Sequence, residues 1–346
     1  MTKSRLVIPD QESFVRRCVL ALLSGHLVLQ GPPGTGKTTV ARLLADQFNA
    51  SLRVTTATAE WSTYDMVGGL RPTETGALLP VLGEVAQASL ECARIIRQEL
   101  QDPQPKAFQA RWLLVDELNR ADIDKSVGPL YTVLSSISGD YLEATPLNLW
   151  YETGERAEIW IPSRFRLLAT MNDVDTSFVN AISQGLTRRF QFIFLGVPTS
   201  ETEINNEVDA AFATAYKWLV EQYAASLTID AEEDLKSGIF VDARTKLVQL
   251  LRILREPIAI GGWPLGTAQI VDVWRSLLLA IPNATENSLS VVDTLDVVFA
   301  DRIVPQMGDL DDDQLREFET RLKSDDINML TSASAIHHLR NTRATQ

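Results

Sequence analysis

A chain of 346 residues, 45% hydrophobic and 22% charged, is long enough for two globular domains, each with a real core. No apolar stretch reaches the ~18 to 20 residues of a membrane span, and no apolar segment follows Met1-Thr2-Lys3-Ser4-Arg5 as a leader would require. A net charge of −13, with pI near 4.8 and no Lys/Arg stripe, disfavours strong autonomous binding to duplex nucleic acid, which needs clustered cations.

The first helix is expected over 11–23. His26-Leu27-Val28-Leu29-Gln30 then reads as a buried parallel strand, and Gly31-Pro32-Pro33-Gly34-Thr35-Gly36-Lys37-Thr38 follows it as a full match to G-x-x-x-x-G-K-[ST]. The glycines let the loop turn its N–H groups inward, and the dipole of a helix over 37–48 adds positive potential. Lys37 can reach the β/γ-phosphates and the Thr38 hydroxyl can ligate Mg²⁺, while Thr39 extends the cradle into the helix. This chain is expected to bind a nucleoside triphosphate.

Further apolar runs predict parallel strands at 52–56, 112–115, 165–169 and 190–194, separated by helices at 81–100 and 124–136. Such alternation predicts an α/β sandwich on a parallel sheet. A hairpin is expected around 70–79, and another between 141–143 and 158–161 in a crossover without a helix. Cys18 and Cys92 lie in helix-like segments with no metal-ligand spacing, which predicts buried, reduced thiols in a cytoplasmic protein.

Trp112-Leu113-Leu114-Val115-Asp116-Glu117 is an apolar strand that ends in two acids. Beside a P-loop strand, Asp116 would hold Mg²⁺ through water and Glu117 would polarise the attacking water. In Ala169-Thr170-Met171-Asn172-Asp173, Asn172 at a strand tip can bond the lytic water or the γ-phosphate; an Asn-Asp turn is the plainer reading. Leu186-Thr187-Arg188-Arg189-Phe190 places two arginines after a helix, either to complement its dipole or to reach a neighbouring subunit's nucleotide.

After Val197-Pro198-Thr199-Ser200 the strands stop. Apolar helical faces at 211–224, 244–254, 268–281 and 291–300 predict a second, all-α domain, dividing the chain into 1–198 and 199–346. Asp309-Leu310-Asp311-Asp312-Asp313 reads as a solvated loop and helix start rather than a metal site. No internal repeat is visible.

The ordered set GPPGTGKT, LLVDELNRAD, ATMND and LTRRF resembles the AAA+ ATPases of the McrB branch, relatives of MoxR and dynein-like ATPases. Tyr64-Asp65-Met66-Val67-Gly68-Gly69-Leu70-Arg71-Pro72, Ile161-Pro162-Ser163-Arg164-Phe165 and Val304-Pro305-Gln306-Met307 resemble that branch as well. The resemblance implies a parallel sheet of order 5-1-4-3-2 with a helical lid, in rings of about six. It implies P-loop and Walker B roles for Lys37, Thr38, Asp116 and Glu117, sensor 1 for Asn172, and an arginine finger at Arg188 or Arg189. Around 262–269, where many relatives carry a sensor-2 arginine, there is none, which leaves Gln269 or Arg275 to substitute. The P-loop follows only 30 residues of chain, too few for the modified-DNA-reading domain of McrB-type subunits.

Two functions follow from the resemblance, and a third, a nucleotide-gated scaffold that barely hydrolyses, is weakened by the presence of Glu117 and the arginine pair. One is an ATP- or GTP-driven ring motor with a nuclease or target-reading partner in a restriction-like defence complex. The other is a MoxR-like chaperone that remodels a protein complex. Trp61, Tyr64 or the hairpin tips near 74 and 153 are candidates for a pore lining, with core packing or plain exposure as the alternative for each.

Overall fold

The structure, a computed structural model, describes residues 6–102, 107–172, 184–223, 235–236, 238–256, 262–280 and 290–344. The chain divides into two compact units. One comprises Asp10–Gly31 and Lys37–Leu195; the other comprises Met1–Pro9, Pro32–Gly36 and Gly196–Gln346.

Nine strands occur among the described residues: β1 (His26–Gly31), β2 (Ala50–Thr56), β3 (Gly68–Pro72), β4 (Leu78–Leu82), β5 (Ala110–Asp116), β6 (Leu147–Asn148), β7 (Glu158–Ile159), β8 (Leu167–Asn172) and β9 (Phe190–Phe194). Five of them form one parallel sheet in the order β2-β5-β8-β1-β9. In chain order of the sheet strands this is 5-1-4-3-2, as the resemblance implies. The unbroken apolar runs in β1, β5 and β8 are buried, the expected pattern for strands covered on both faces, whereas edge strand β2 is half-exposed. Helices Gln11–Ser24, Lys37–Gln47 and Glu84–Gln101 pack on the sheet through their apolar stripes. Cys18 and Cys92 lie in that core, where burial pushes the Cys18 thiol up to about 12 and raises Cys92 as well.

Several expected elements come out differently. β8 begins two residues later than predicted and runs on to Asn172, so the asparagine closes the strand. Residues 81–82 belong to β4, and the helix predicted over 81–100 starts at Glu84. The helix predicted over 124–136 ends at Ser126, because Pro129 has no N–H to continue it, and short turns follow. Residues 141–143 are not a strand: Gly139–Ala144 is helical, ending on the good helix formers Leu142, Glu143 and Ala144, and β7 pairs with β6 instead. The crossover therefore carries a short helix. The hairpin around 70–79 is present as β3–β4.

His26 opens β1 in full burial. Its Nδ1 accepts the Leu167 N–H at 3.1 Å, and the ring lies between those of Phe165 and Phe190. Burial, and then the charge of Arg166, push its pKa down to about 3. The folded pKa therefore lies below the ordinary 6.5, so this stabilisation is complete above pH 6.5 and fades as the pH falls toward 3. Between pH 6.5 and 5 the loss should be about 2 kcal/mol, at about 1.4 kcal/mol per pH unit. Urea unfolding at the two pH values checks this. The His26→Gln protein, which keeps an acceptor but cannot titrate, should lose correspondingly less, and equal losses would contradict the assignment.

The second unit is helical. Helices Glu201–Tyr223, Val241–Arg255, Thr267–Ala280 and Val291–Arg302 cover the four predicted faces, and Asp312–Leu322 and Leu330–Ala344 add two more. Phe212 and Phe240 meet Trp274 edge-on, with centroids 5.0 and 6.0 Å away, a preferred aromatic geometry. Asp311 caps the helix that follows it in a capping box with Gln314, so the acidic run is a helix start as read. Within the same core Arg255 and Glu207 form a bidentate buried ion pair. Arg255 also donates to the carbonyls of Pro198 and Leu265, and Thr267 donates to Glu207. With so many polar atoms paired, removing either ion would leave the other buried and uncompensated.

Candidate active site

The Lys37–Gln47 helix begins directly after the glycine-rich loop. Gly34 and Gly36 sit at φ +76° and +87°, conformations that side chains rarely adopt and that turn successive N–H groups to one side. The Thr35 hydroxyl closes the loop on the Pro32 carbonyl at 2.9 Å. Lys37 is buried with its Nζ 2.8 Å from the Gly31 carbonyl. A buried ammonium at a helix N-terminus favours an anion such as a phosphate. Thr38 is half-buried, while Thr39 and Pro33 are exposed.

Parallel pairing of β5 with β8, and of β8 with β1, brings the strand ends together. Thr38 donates to Asp116 Oδ1 at 2.8 Å, and Thr170 donates to the same oxygen at 2.5 Å. Glu117 lies just beyond β5 at φ +55°, a left-handed conformation that costs a non-glycine residue about 1–2 kcal/mol. Its N–H, past the end of the ladder, donates to Thr170 Oγ1 at 2.9 Å. Arg120 Nε lies 2.6 Å from the Glu117 carboxylate, with Arg120 57% exposed. An exposed pair of this kind is worth about 1 kcal/mol or less, too little to hold the carboxylate against a ligand.

Asn172 pairs in register with Gly31 across β8 and β1. Its backbone N–H donates to Asn119 Oδ1 at 3.3 Å and its carbonyl accepts from Asn119 Nδ2 at 3.5 Å. Asn119 and Thr170 were not singled out by the sequence. Asn119 stands two residues after Glu117 and Thr170 two before Asn172, but only knowing that β5 and β8 are neighbours gives either residue a meaning.

The two arginines part company. Arg189 donates to the Tyr131 and Gly185 carbonyls and to Ser135 Oγ, and lies over the Tyr131 ring. Arg188 is exposed, and no hydrogen bond or ion pair is formed by it among the described residues. The two sensor-2 candidates also differ. Gln269 lies against Gly34, where a Cβ would collide with its carboxamide, and the neighbouring Ala268 N–H donates to the Gly34 carbonyl at 2.9 Å. Arg275 instead pairs with Asp272 and stacks on Trp218. Trp61 is buried, whereas Tyr64 is partly exposed beside Gly69. Asp173 lies outside the described residues.

A hydroxyl and a carboxylate oxygen 2.8 Å apart, beside a loop shaped for phosphates, are hard donors of the kind that suit Mg²⁺, which takes few protein ligands and relies on substrate oxygens. The residues present fit a Mg²⁺–nucleotide.

Residues 26–190, which hold the glycine-rich loop, Asp116, Glu117, Asn172 and both arginines, match the model of the AAA domain, dynein-related subfamily. The chain carries an AAA domain of the dynein-related type. It is similar to the McrB subunit of the type IV methyl-directed restriction enzyme of Escherichia coli, 25% identical over 195 residues, covering 54% of this chain and 39% of that one. It is also similar to the RuvB subunit of the Holliday junction branch migration complex of Borrelia garinii, 26% identical over 157 residues, covering 45% of this chain and 41% of that one. Its match thus spans about two fifths of the length of these curated relatives. A solved RuvB mutant of Thermotoga maritima is a looser likeness, 16% identical with a TM-score of 0.36, covering 95% of this chain and 87% of that one. The AAA match covers the parallel sheet up to the start of β9, and the chain beyond Leu195 adds a helical unit.

Proposed function

We propose that this AAA ATPase hydrolyses ATP or GTP with Mg²⁺ in a ring of about six copies, as the motor or regulatory subunit of a McrBC-like restriction complex with a nuclease partner. The observation that carries the catalytic reading is the chain of hydrogen bonds Thr38–Asp116–Thr170–Glu117, which ties the P-loop helix to the acidic strand end. The N–H groups of Gly34, Thr35, Gly36 and Lys37 cradle the phosphates, with Gly31, Pro32 and Pro33 shaping the loop. Lys37 neutralises charge on the transferred group. Thr38 and Asp116 would hold the Mg²⁺, which would supply neutralisation of phosphate charge. Glu117 accepts a proton from the attacking water, and the Asn172 side chain orients that water or the γ-phosphate. Arg188, exposed and unpartnered among the described residues, serves the nucleotide of a neighbouring copy as the finger, and Gln269 stands where relatives place the sensor-2 arginine.

The restriction setting is supported by the similarity to McrB. A MoxR-like role in remodelling a protein complex is the second reading, favoured by the net charge of −13 and by the exposed apolar side chains of Leu78, Leu79 and Trp150 on the two hairpins. No helix among the described residues is long and apolar enough to cross a membrane. The free, buried Cys18 and Cys92 support a cytoplasmic setting for this reading. The domain boundary falls near residue 198.

Nucleotide should drive assembly. The −13 charge opposes self-association until a neighbour's arginine meets the phosphates, and binding to the assembled form then favours it by mass action. Light scattering with a slowly hydrolysed analogue should report a ring-sized particle. A strict monomer at saturating nucleotide, with the partner present, would count against the ring.

A further inference from the structure

Thr170 lies in the middle of the sheet, 1% exposed, on the strand beside β5. A hydroxyl has one proton to give. Here that proton goes to Asp116 Oδ1, and a lone pair of the same oxygen receives the Glu117 N–H. One side-chain atom therefore joins the carboxylate that faces the metal side to the backbone of the residue that faces the water. Glu117 makes this bond from a left-handed conformation that nothing in the strand ladder supports. Threonine suits the task because a β-branched side chain in a strand is stiff about χ1, so its oxygen is held in place. Asp116 Oδ1 is shared with Thr38, which must also serve the cation, whereas both bonds of Thr170 go to the last residue of β5 and the one that follows it.

We infer that Thr170 is a positioning residue: its hydroxyl is a splint that keeps Asp116 and Glu117 in one arrangement, so that cation binding and water activation act on the same phosphate. It touches neither nucleotide nor cation. The inference rests on the proposed roles of Asp116 and Glu117.

Thr170→Val exchanges the hydroxyl for a methyl of the same shape, and Thr170→Ser keeps the hydroxyl. Binding of a fluorescent ATP analogue with and without Mg²⁺ reads the metal side, and phosphate release reads turnover. Partners of metal ligands typically govern about 10–100-fold in metal affinity or activity. For Thr170→Val, affinity without Mg²⁺ should stay within about 2-fold of wild type. The tightening produced by Mg²⁺ should fall about tenfold and kcat by about 10–100-fold, with KM little changed. Thr170→Ser should keep the Mg²⁺ response and most of the turnover. If the valine protein does not melt cooperatively, Thr170→Cys takes its place, since a thiol of similar size is only a weak donor, and the same losses are expected. A wild-type Mg²⁺ response in the folded Val or Cys protein would overturn the inference, as would a Ser protein that fails as badly as they do. Asp116→Asn and Glu117→Gln run alongside. Full turnover in those two would defeat the site reading itself, whereas their loss beside an unaffected Thr170→Val would defeat only the role of Thr170.

Discussion

Glu117→Gln is expected to bind nucleotide as the wild type does and to lose turnover by about 10²–10⁴-fold, the usual span for removing a positioned general base. The amide has nearly the same shape, so the backbone anchor from the Glu117 N–H to Thr170 survives. What changes is that an amide cannot take the proton of the attacking water. The ion pair with Arg120 is lost too, but it is exposed and contributes little to stability. Lys37→Ala should behave differently. It removes a buried ammonium from the loop, so binding itself should disappear. A fluorescent nucleotide titration together with a phosphate-release assay separates the two outcomes, and a Glu117→Gln protein that hydrolyses at the wild-type rate would remove the glutamate from its role.

The second large effect concerns the adjacent arginines, which the structure separates. Arg188→Ala should cut turnover by about 10³-fold or more, as loss of a finger does elsewhere, and leave the nucleotide affinity of the isolated subunit nearly intact. Arg189→Ala should act on folding. Its guanidinium satisfies two backbone carbonyls and a serine hydroxyl around Tyr131, so its loss should cost about 1–3 kcal/mol of stability. Thermal melting and kcat measured on both variants decide the matter. A reversal, with Arg188→Ala active and Arg189→Ala folded but dead, would move the finger by one residue.

Much of the site is legible in the sequence because phosphate chemistry needs particular residues in a fixed local order. Gly31 to Thr38 must be contiguous for one loop to cradle an anion, and Asp116-Glu117 must end an apolar strand, so both can be read without knowing the fold. The sheet order came from the resemblance, since no local signal says that β8 lies between β5 and β1. For the same reason Thr170 and Asn119 were missed, their meaning being a partner more than fifty residues away.

Helix ends fail in a related way. The last helix begins under Asp296, which accepts from the N–H groups of Thr331 and Ser332, a cap supplied by a different helix. By contrast, Asp311 and Gln314 cap locally, and that start was read in advance. The hairpin misplaced at 141–143 shows the opposite hazard. A short apolar-polar alternation fits a strand or one turn of helix equally well, and packing of Leu142 into the core goes with the helix.

The claim at the centre of this account is that hydrolysis joins the P-loop of one copy to Arg188 of the next. Mixing Lys37→Ala protein with Arg188→Ala protein tests it most directly. Each alone should be inactive, the first for want of bound nucleotide and the second for want of the finger. In mixed rings some interfaces place an intact P-loop beside an intact arginine. Phosphate release should therefore reappear on mixing and should rise and fall with the ratio of the two proteins. Zero activity across all ratios, in rings shown by light scattering and differential labelling to contain both proteins, would contradict it.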